Sequence, residues 1–240
     1  MKPTPEQPVS LADFKSFLLL LSEAEISYAL IGGLAVSAWA EAHLTSAEYD
    51  EFNLPIYSKD MDLRGGKAAS TFVSEELKKA GAEIRSSVAA TRKAAPHMGR
   101  IFASGFIWDG RRTSVEVLER LPGLDTSLED PPMGTPIATP AGISLLDPCS
   151  LFICKLHAAN TRPGEGANND AKHLAILARV IPRFLEKVRI TALPEYDARE
   201  DAERLLRRLE DCLAGNEGWQ VPLPEKALED LLSALRQHLA

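Results

Sequence analysis

The sequence predicts an α/β core in its first half and a helical module in its second. Two observations predict it. Up to about residue 120, short apolar runs that end at glycines alternate with amphipathic stretches, whereas everything after about residue 147 carries helical periodicity. A third feature separates the two parts: the stretch from Pro122 to Pro140 holds five of the sixteen prolines and reads as a linker or irregular crossing. Residues 1–124 are therefore expected to form the core, and residues 125–240 the linker and helical domain.

The first eight residues carry three prolines and read as a frayed lead-in. Ser10 and Asp13 form a capping-box pattern, and Leu11, Phe14, Leu18 and Leu21 then recur at helical spacing to about Glu23. Tyr28 to Ile31 is a short strand that ends at Gly32-Gly33, and Leu34 to His43 returns to helix-forming composition. From Leu44 to Tyr57 the pattern is lost, and a loop is expected. Ser58 to Leu63 alternates polar and apolar residues, a second strand that Gly65-Gly66 stops. Ala68 to Ala80 is a helix capped by Gly81, and Ala82 to Ser87 a third strand. Arg100 to Trp108 and Thr113 to Leu118 flank Asp109-Gly110, a hairpin signal. After the linker, helices are expected from Asp147-Pro148 to about Asn160, over 170–180, over 200–214 and over 225–239.

Composition excludes several classes. The chain has 240 residues, 45% of them hydrophobic and 25% charged, which is the balance of a globular protein rather than a disordered or fibrous one. No apolar run approaches the roughly 18 to 20 residues that span a bilayer, and no secretory signal is evident at the start. Three cysteines, Cys149, Cys154 and Cys212, show no CxxC spacing, so neither a disulfide framework nor a zinc cage is expected. The protein is expected to be cytoplasmic and free of the membrane. Net charge is −7, but Arg64 to Arg120 holds eleven basic against six acidic residues, a local excess of +5. These are ordinarily solvated faces, although a basic middle can also face a polyanion.

Three carboxylates carry the chemical argument. Asp60 and Asp62 stand at i and i+2 of one strand and so share a face, with attachment points roughly 7 Å apart. Glu116, on a later strand, can complete an oxygen-rich site suited to Mg2+. Gly32-Gly33, between a strand and a helix N-terminus, offers backbone N–H groups and a helix dipole to an anionic polyphosphate. Each piece alone is commonplace; their order along the chain is informative.

That order resembles the DNA polymerase β-like nucleotidyltransferase superfamily, particularly small bacterial members and the nucleotidyltransferase-like toxins of abortive-infection systems. Tyr28 to Val36 is similar to its glycine turn, Leu54 to Leu63 to its metal-binding strand, and Val115 to Leu118 to the strand of the third acid. Asp147 to Leu156, with Arg162 and Asn169-Asp170, looks like its helical segment bearing a lysine, an arginine and an acid. The resemblance spans about residues 10–180. It implies a nucleotidyltransferase fold with a mixed sheet of four or five strands, Asp60, Asp62 and Glu116 as Mg2+ ligands, and Glu116 as candidate base. It further implies that Gly32, Gly33 and Ser37 hold the triphosphate of a nucleoside triphosphate, with Ser58, Lys59 and Lys155 contributing. The acceptor would be a hydroxyl on RNA, a protein or a small molecule. An inactive binding or regulatory module, such as a toxin–antitoxin component, is the alternative.

The remaining candidates are weaker. The five histidines show no paired ligand spacing. Cys154 reads as a packed thiol and Trp39, Trp108 and Trp219 as packing residues. Arg92-Lys93 and Arg111-Arg112 become candidates for contacting an acceptor nucleic acid if the site is real.

Overall fold

A seven-stranded mixed sheet in the order β3-β4-β5-β2-β1-β7-β6 organises the first part of the chain. The structure, a computed structural model, describes residues 8–58, 60–85, 101–108, 111–119, 121, 123–124, 136–162, 164–191, 198–215 and 218–240. In chain order the elements are α1 (Leu11–Glu23), β1 (Tyr28–Leu30), α2 (Gly32–His43), α3 (Ser46–Glu51), β2 (Asp60–Gly65), α4 (Lys67–Lys79) and β3 (Glu83–Arg85). There follow β4 (Ile101–Trp108), β5 (Arg111–Leu118), β6 (Pro136–Ala138), β7 (Ser144–Leu146), α5 (Pro148–Thr161), α6 (Glu165–Thr191), α7 (Ala198–Leu213) and α8 (Glu225–Leu239).

The α/β class expected from the sequence is the class observed. Two pairings in the sheet, β2 with β5 and β1 with β7, are parallel, and the others are antiparallel. The strand count exceeds the expected four or five because the proline-rich crossing contributes β6, and β7 follows it. Pro136 is tolerated there because β6 is an edge strand.

The chain separates by contacts into two compact units that interleave in sequence. One comprises Met1–Ser37, Pro55–Leu121 and Pro136–Leu146, the other Ala38–Leu54, Pro122–Thr135 and Asp147–Ala240. In the first unit, Met61 and Leu63 of β2, Val115 and Val117 of β5, Leu30 of β1 and Leu145 of β7 are essentially inaccessible to solvent. The cross-strand register puts these side chains on one face. That face carries the helices: a side chain at Gly65 would meet the Cβ of Ala69 in α4. Burying each such side chain contributes about 1.5–3 kcal/mol. Helix α1 opens as its sequence suggests, with the Ser10 backbone N–H and hydroxyl both donating to Asp13 Oδ2 at 2.7 and 2.8 Å. Its other end is tied to the sheet by the Tyr28 hydroxyl, which donates to the Leu18 carbonyl (3.0 Å) and accepts from the Ser144 N–H (3.3 Å).

In the second unit α5 to α8 pack on one another, α7 and α8 through the apolar stripes expected there and α5 buried nearly all round. The segment 44–57, expected as loop, contains α3. Its signal was a capping box: Glu48 N–H donates to Thr45 Oγ1, while Thr45 N–H and hydroxyl donate back to Glu48 Oε2. Arg183 of α6 then grips both oxygens of Glu48 at 2.7 and 2.8 Å. Helix α6 also runs past its expected end at about residue 180, through Pro182 to Thr191. Pro182 forfeits one helical hydrogen bond, yet Ile181, Phe184, Leu185 and Val188 are buried on both sides of it, and that packing carries the helix through.

Candidate functional site

The candidate site residues lie on the face of the sheet turned away from α4. In the parallel ladder Asp60 pairs with Ser114 and Asp62 with Glu116, so all three acids leave the backbone on the same side of adjacent strands. Asp60 and Asp62 are half-buried, as is Glu116, in contrast to the sealed Met61, Val115 and Val117 between them. Alternation within each strand thus divides an apolar, helix-covered side from an acidic one.

The glycine turn comes against this acidic face. Ile31 N–H donates to the Asp62 carbonyl at 3.0 Å, extending the antiparallel pairing of β1 and β2 one residue past β1. Gly32 then takes φ +70°, a left-handed conformation that glycine adopts without strain. A Cβ there would overlap the Asp62 carboxylate, with Cγ only 3.1 Å and Cβ 3.2 Å away. Helix α2 starts at Gly32, so the N–H groups of its first turn, which lack intrahelical acceptors, lie next to Asp62. A bare backbone, a helix N-terminus and a carboxylate therefore meet at one place.

The other expected site residues are placed as follows. Ser58 pairs through its backbone with Val9 and donates its hydroxyl to Asp60 Oδ1 at 3.2 Å. Ser37 lies further into α2, where its buried hydroxyl accepts the Ile56 N–H at 3.1 Å and pins the approach to β2. Lys59, Arg92-Lys93, His97 and the Asp109-Gly110 turn lie outside the described residues. Lys155 belongs to the helical unit, where its ammonium donates to Asp170 Oδ1 at 2.9 Å.

A compact charged cluster surrounds that last pair. Asp170 is buried, with Arg162 3.7 Å from Oδ2 and His173 Nδ1 3.7 Å from Oδ1. The latter is too long for a hydrogen bond, so Lys155 is the partner that holds the carboxylate. Burial raises the Asp170 carboxyl, but the charges of Lys155 and Arg162, with the Lys155 hydrogen bond and the nearby His173, outweigh it and bring it down to about 2. Burial lowers the His173 imidazole despite the neighbouring carboxylate.

The donor set suits a hard divalent cation: carboxylate oxygens from two adjacent strands on one face, beside backbone N–H groups that suit phosphate. Among the described residues, however, no three His, Cys, Asp or Glu side chains already stand as a metal-holding group. The fit thus extends to donor chemistry and facing, not to a formed trio. Arg64 was overlooked in the sequence, although the alternation that marks Asp60 and Asp62 continues to it.

No protein-family model matches the chain, and no curated protein matches it. Several solved structures are similar to it at low identity. One is an antigenic nucleotidyltransferase-like protein from Paracoccidioides brasiliensis, at 14% identity and TM-score 0.44, covering 83% of this chain and 94% of that one. The Megavirus polyadenylate synthase aligns at 12% identity and TM-score 0.45 over 98% of this chain and 51% of its own. The antibiotic-resistance factor ANT(2'')-Ia aligns at 12% identity and TM-score 0.45, over 86% and 95%. Among the described residues, no helix is long and apolar enough to cross a membrane.

Proposed function

We propose that the protein is a nucleotidyltransferase that moves a nucleoside monophosphate group from a nucleoside triphosphate to an acceptor hydroxyl. The observation that carries this reading is the register of β2 against β5, which sets Asp60, Asp62 and Glu116 on one face beside the Gly32 turn. N–H groups at the start of α2 would bind phosphate oxygens, and the missing side chain at Gly32 lets them come close to the backbone. Asp60 and Asp62 would hold Mg2+, with Glu116 as third ligand or base. When bound, such an ion supplies neutralisation of the charge on the phosphates.

The acceptor oxygen forms its bond to the α-phosphorus as the bond to pyrophosphate breaks, and Glu116 takes the hydroxyl proton. Ser58 keeps Asp60 oriented through the hydroxyl contact described above. Ser37 and Lys155 are committed to Ile56 and Asp170, and neither is assigned a step. The acceptor belongs to RNA, a protein or a small molecule.

Calorimetric titration with ATP, CTP, GTP and UTP in Mg2+, together with pyrophosphate release, tests the reading. The wild type is expected to bind at least one of the four and release pyrophosphate with an acceptor, and Asp60→Asn/Asp62→Asn to lose turnover by 100-fold or more. Undiminished turnover in that variant removes the assignment. Binding without pyrophosphate release identifies instead a binding or regulatory module, of the kind a toxin–antitoxin pair contains.

A further inference from the structure

Arg64 follows Asp60 and Asp62 at the same two-residue spacing, so its side chain leaves β2 on the acidic face. It is only 8% exposed. Its partners in the flanking strands are Ala29 of β1 and Leu118 of β5, neither of them charged. A guanidinium remains protonated at any accessible pH, and one buried to this degree needs a carboxylate. On the described strands the register offers two within an arginine's reach, Asp62 on the same strand and Glu116 diagonally across, two residues before Leu118. Asp62 turns its carboxylate against Gly32. Glu116, one methylene longer and on the far side from that turn, stands diagonally across the ladder from Arg64.

We propose that Arg64 is the built-in counter-cation of Glu116 and sets the charge that this face presents to a divalent cation. Three carboxylates less one guanidinium leave two negative charges, matching a single divalent ion, and a cation that recruits Glu116 must displace Arg64 from it. The charge-setting role rests on the nucleotidyltransferase reading of the face; the pairing does not. Arg64 is a positioning residue, acting through Glu116.

Two measurements test it. The first is a double-mutant cycle of Arg64→Met and Glu116→Gln on urea unfolding, without metal. Pairing predicts that each single change raises the unfolding constant tenfold or more, and that the double variant departs from the product of the two by at least tenfold. Independent effects, agreeing within twofold, overturn the pairing. Should Arg64→Met not fold, Arg64→Gln takes its place. The second is Mn2+ binding followed by paramagnetic resonance. Removing a competing charge predicts about tenfold tighter binding by Arg64→Met and wild-type affinity restored in Arg64→Lys, whereas a merely structural role predicts weaker binding. Unchanged or weaker binding in Arg64→Met overturns the charge-setting role. A coupled cycle in protein that binds no Mn2+ upholds the pairing and removes the cation reading of the face.

Discussion

Replacing Gly32 by alanine separates two costs that the structure places on one residue. The left-handed backbone, φ +70°, penalises any side chain by about 1–2 kcal/mol. The added methyl also overlaps the Asp62 carboxylate, whose Cγ would lie 3.1 Å from it, and overpacking of this kind costs about 1–3 kcal/mol. Together they predict a loss of about 2–5 kcal/mol. Two other glycines serve as internal references. Gly81 has φ +80° with nothing within 4 Å of a Cβ, so Gly81→Ala reports the backbone cost alone. Gly66 has φ −79° with the same open space, so Gly66→Ala should change stability by less than about 1 kcal/mol. Urea unfolding of the three variants is the assay, with Gly32→Ala/Asp62→Ala as the fourth protein. Removing the Asp62 side chain should return Gly32→Ala to near the Gly81→Ala cost. If Gly32→Ala costs no more than Gly81→Ala, or if Asp62→Ala gives no relief, the close approach of turn and carboxylate is wrong, and with it the geometry on which the proposed phosphate binding depends.

Other expectations follow from the buried charges of the helical unit. Asp147 caps α5 through Ser150 N–H and is completely buried; burial and then Asp201 push its carboxyl up to about 7, against the hydrogen bonds of Ser150 and the charge of Arg204. Because its folded pKa is raised above 3.8, stability falls as pH climbs from about 4 to 7 and then levels. Three pH units correspond to an upper bound on the order of 4 kcal/mol, so Asp147→Asn, which keeps the cap, should be more stable than wild type by urea unfolding at pH 8 and equal to it at pH 4. Glu48 behaves oppositely: the Arg183 hydrogen bonds hold it down to about 2, so its stabilisation is complete above about pH 4.5 and is lost as pH falls toward 2. Glu48→Gln should cost about 1–3 kcal/mol at pH 7 and little at pH 2, read from thermal melts. Asp170→Asn strands the buried Lys155 and should cost about 3–5 kcal/mol at pH 7. Adding Lys155→Met should recover much of it, and additive losses in denaturant titration would show that the pair is not coupled.

Helices α7 and α8 were legible because each buries one stripe, and a stripe repeats in sequence every three to four residues, whereas α5 is buried nearly all round and was marked by its Asp147-Pro148 start. The same holds for β2, whose alternation alone puts Asp60 and Asp62 on one side. Helix α3 was missed because it is only six residues long, too short to show a stripe, although its capping box at Thr45 and Glu48 was present in the sequence. Helix α6 runs past its expected end near residue 180 because the burial of Phe184, Leu185 and Val188 beyond Pro182, which holds the helix together there, is a tertiary property.

What the sequence by itself determined is periodicity: which residues share a strand face or a helix stripe, and which backbone positions demand glycine. What only the tertiary structure decided is adjacency between distant segments. That β5 lies parallel to β2 with Glu116 opposite Asp62, that Gly32 closes against Asp62, and that Arg64 is sealed on the same face all depend on strand order and register. Fifty-three residues lie between Asp62 and Glu116, and the alternation within each strand is the same whichever strand becomes its neighbour. The pairing is chosen by burial of the opposite, apolar face: a one-residue slip would turn Val115 and Val117 out of the core and the acidic side chain of Glu116 into it.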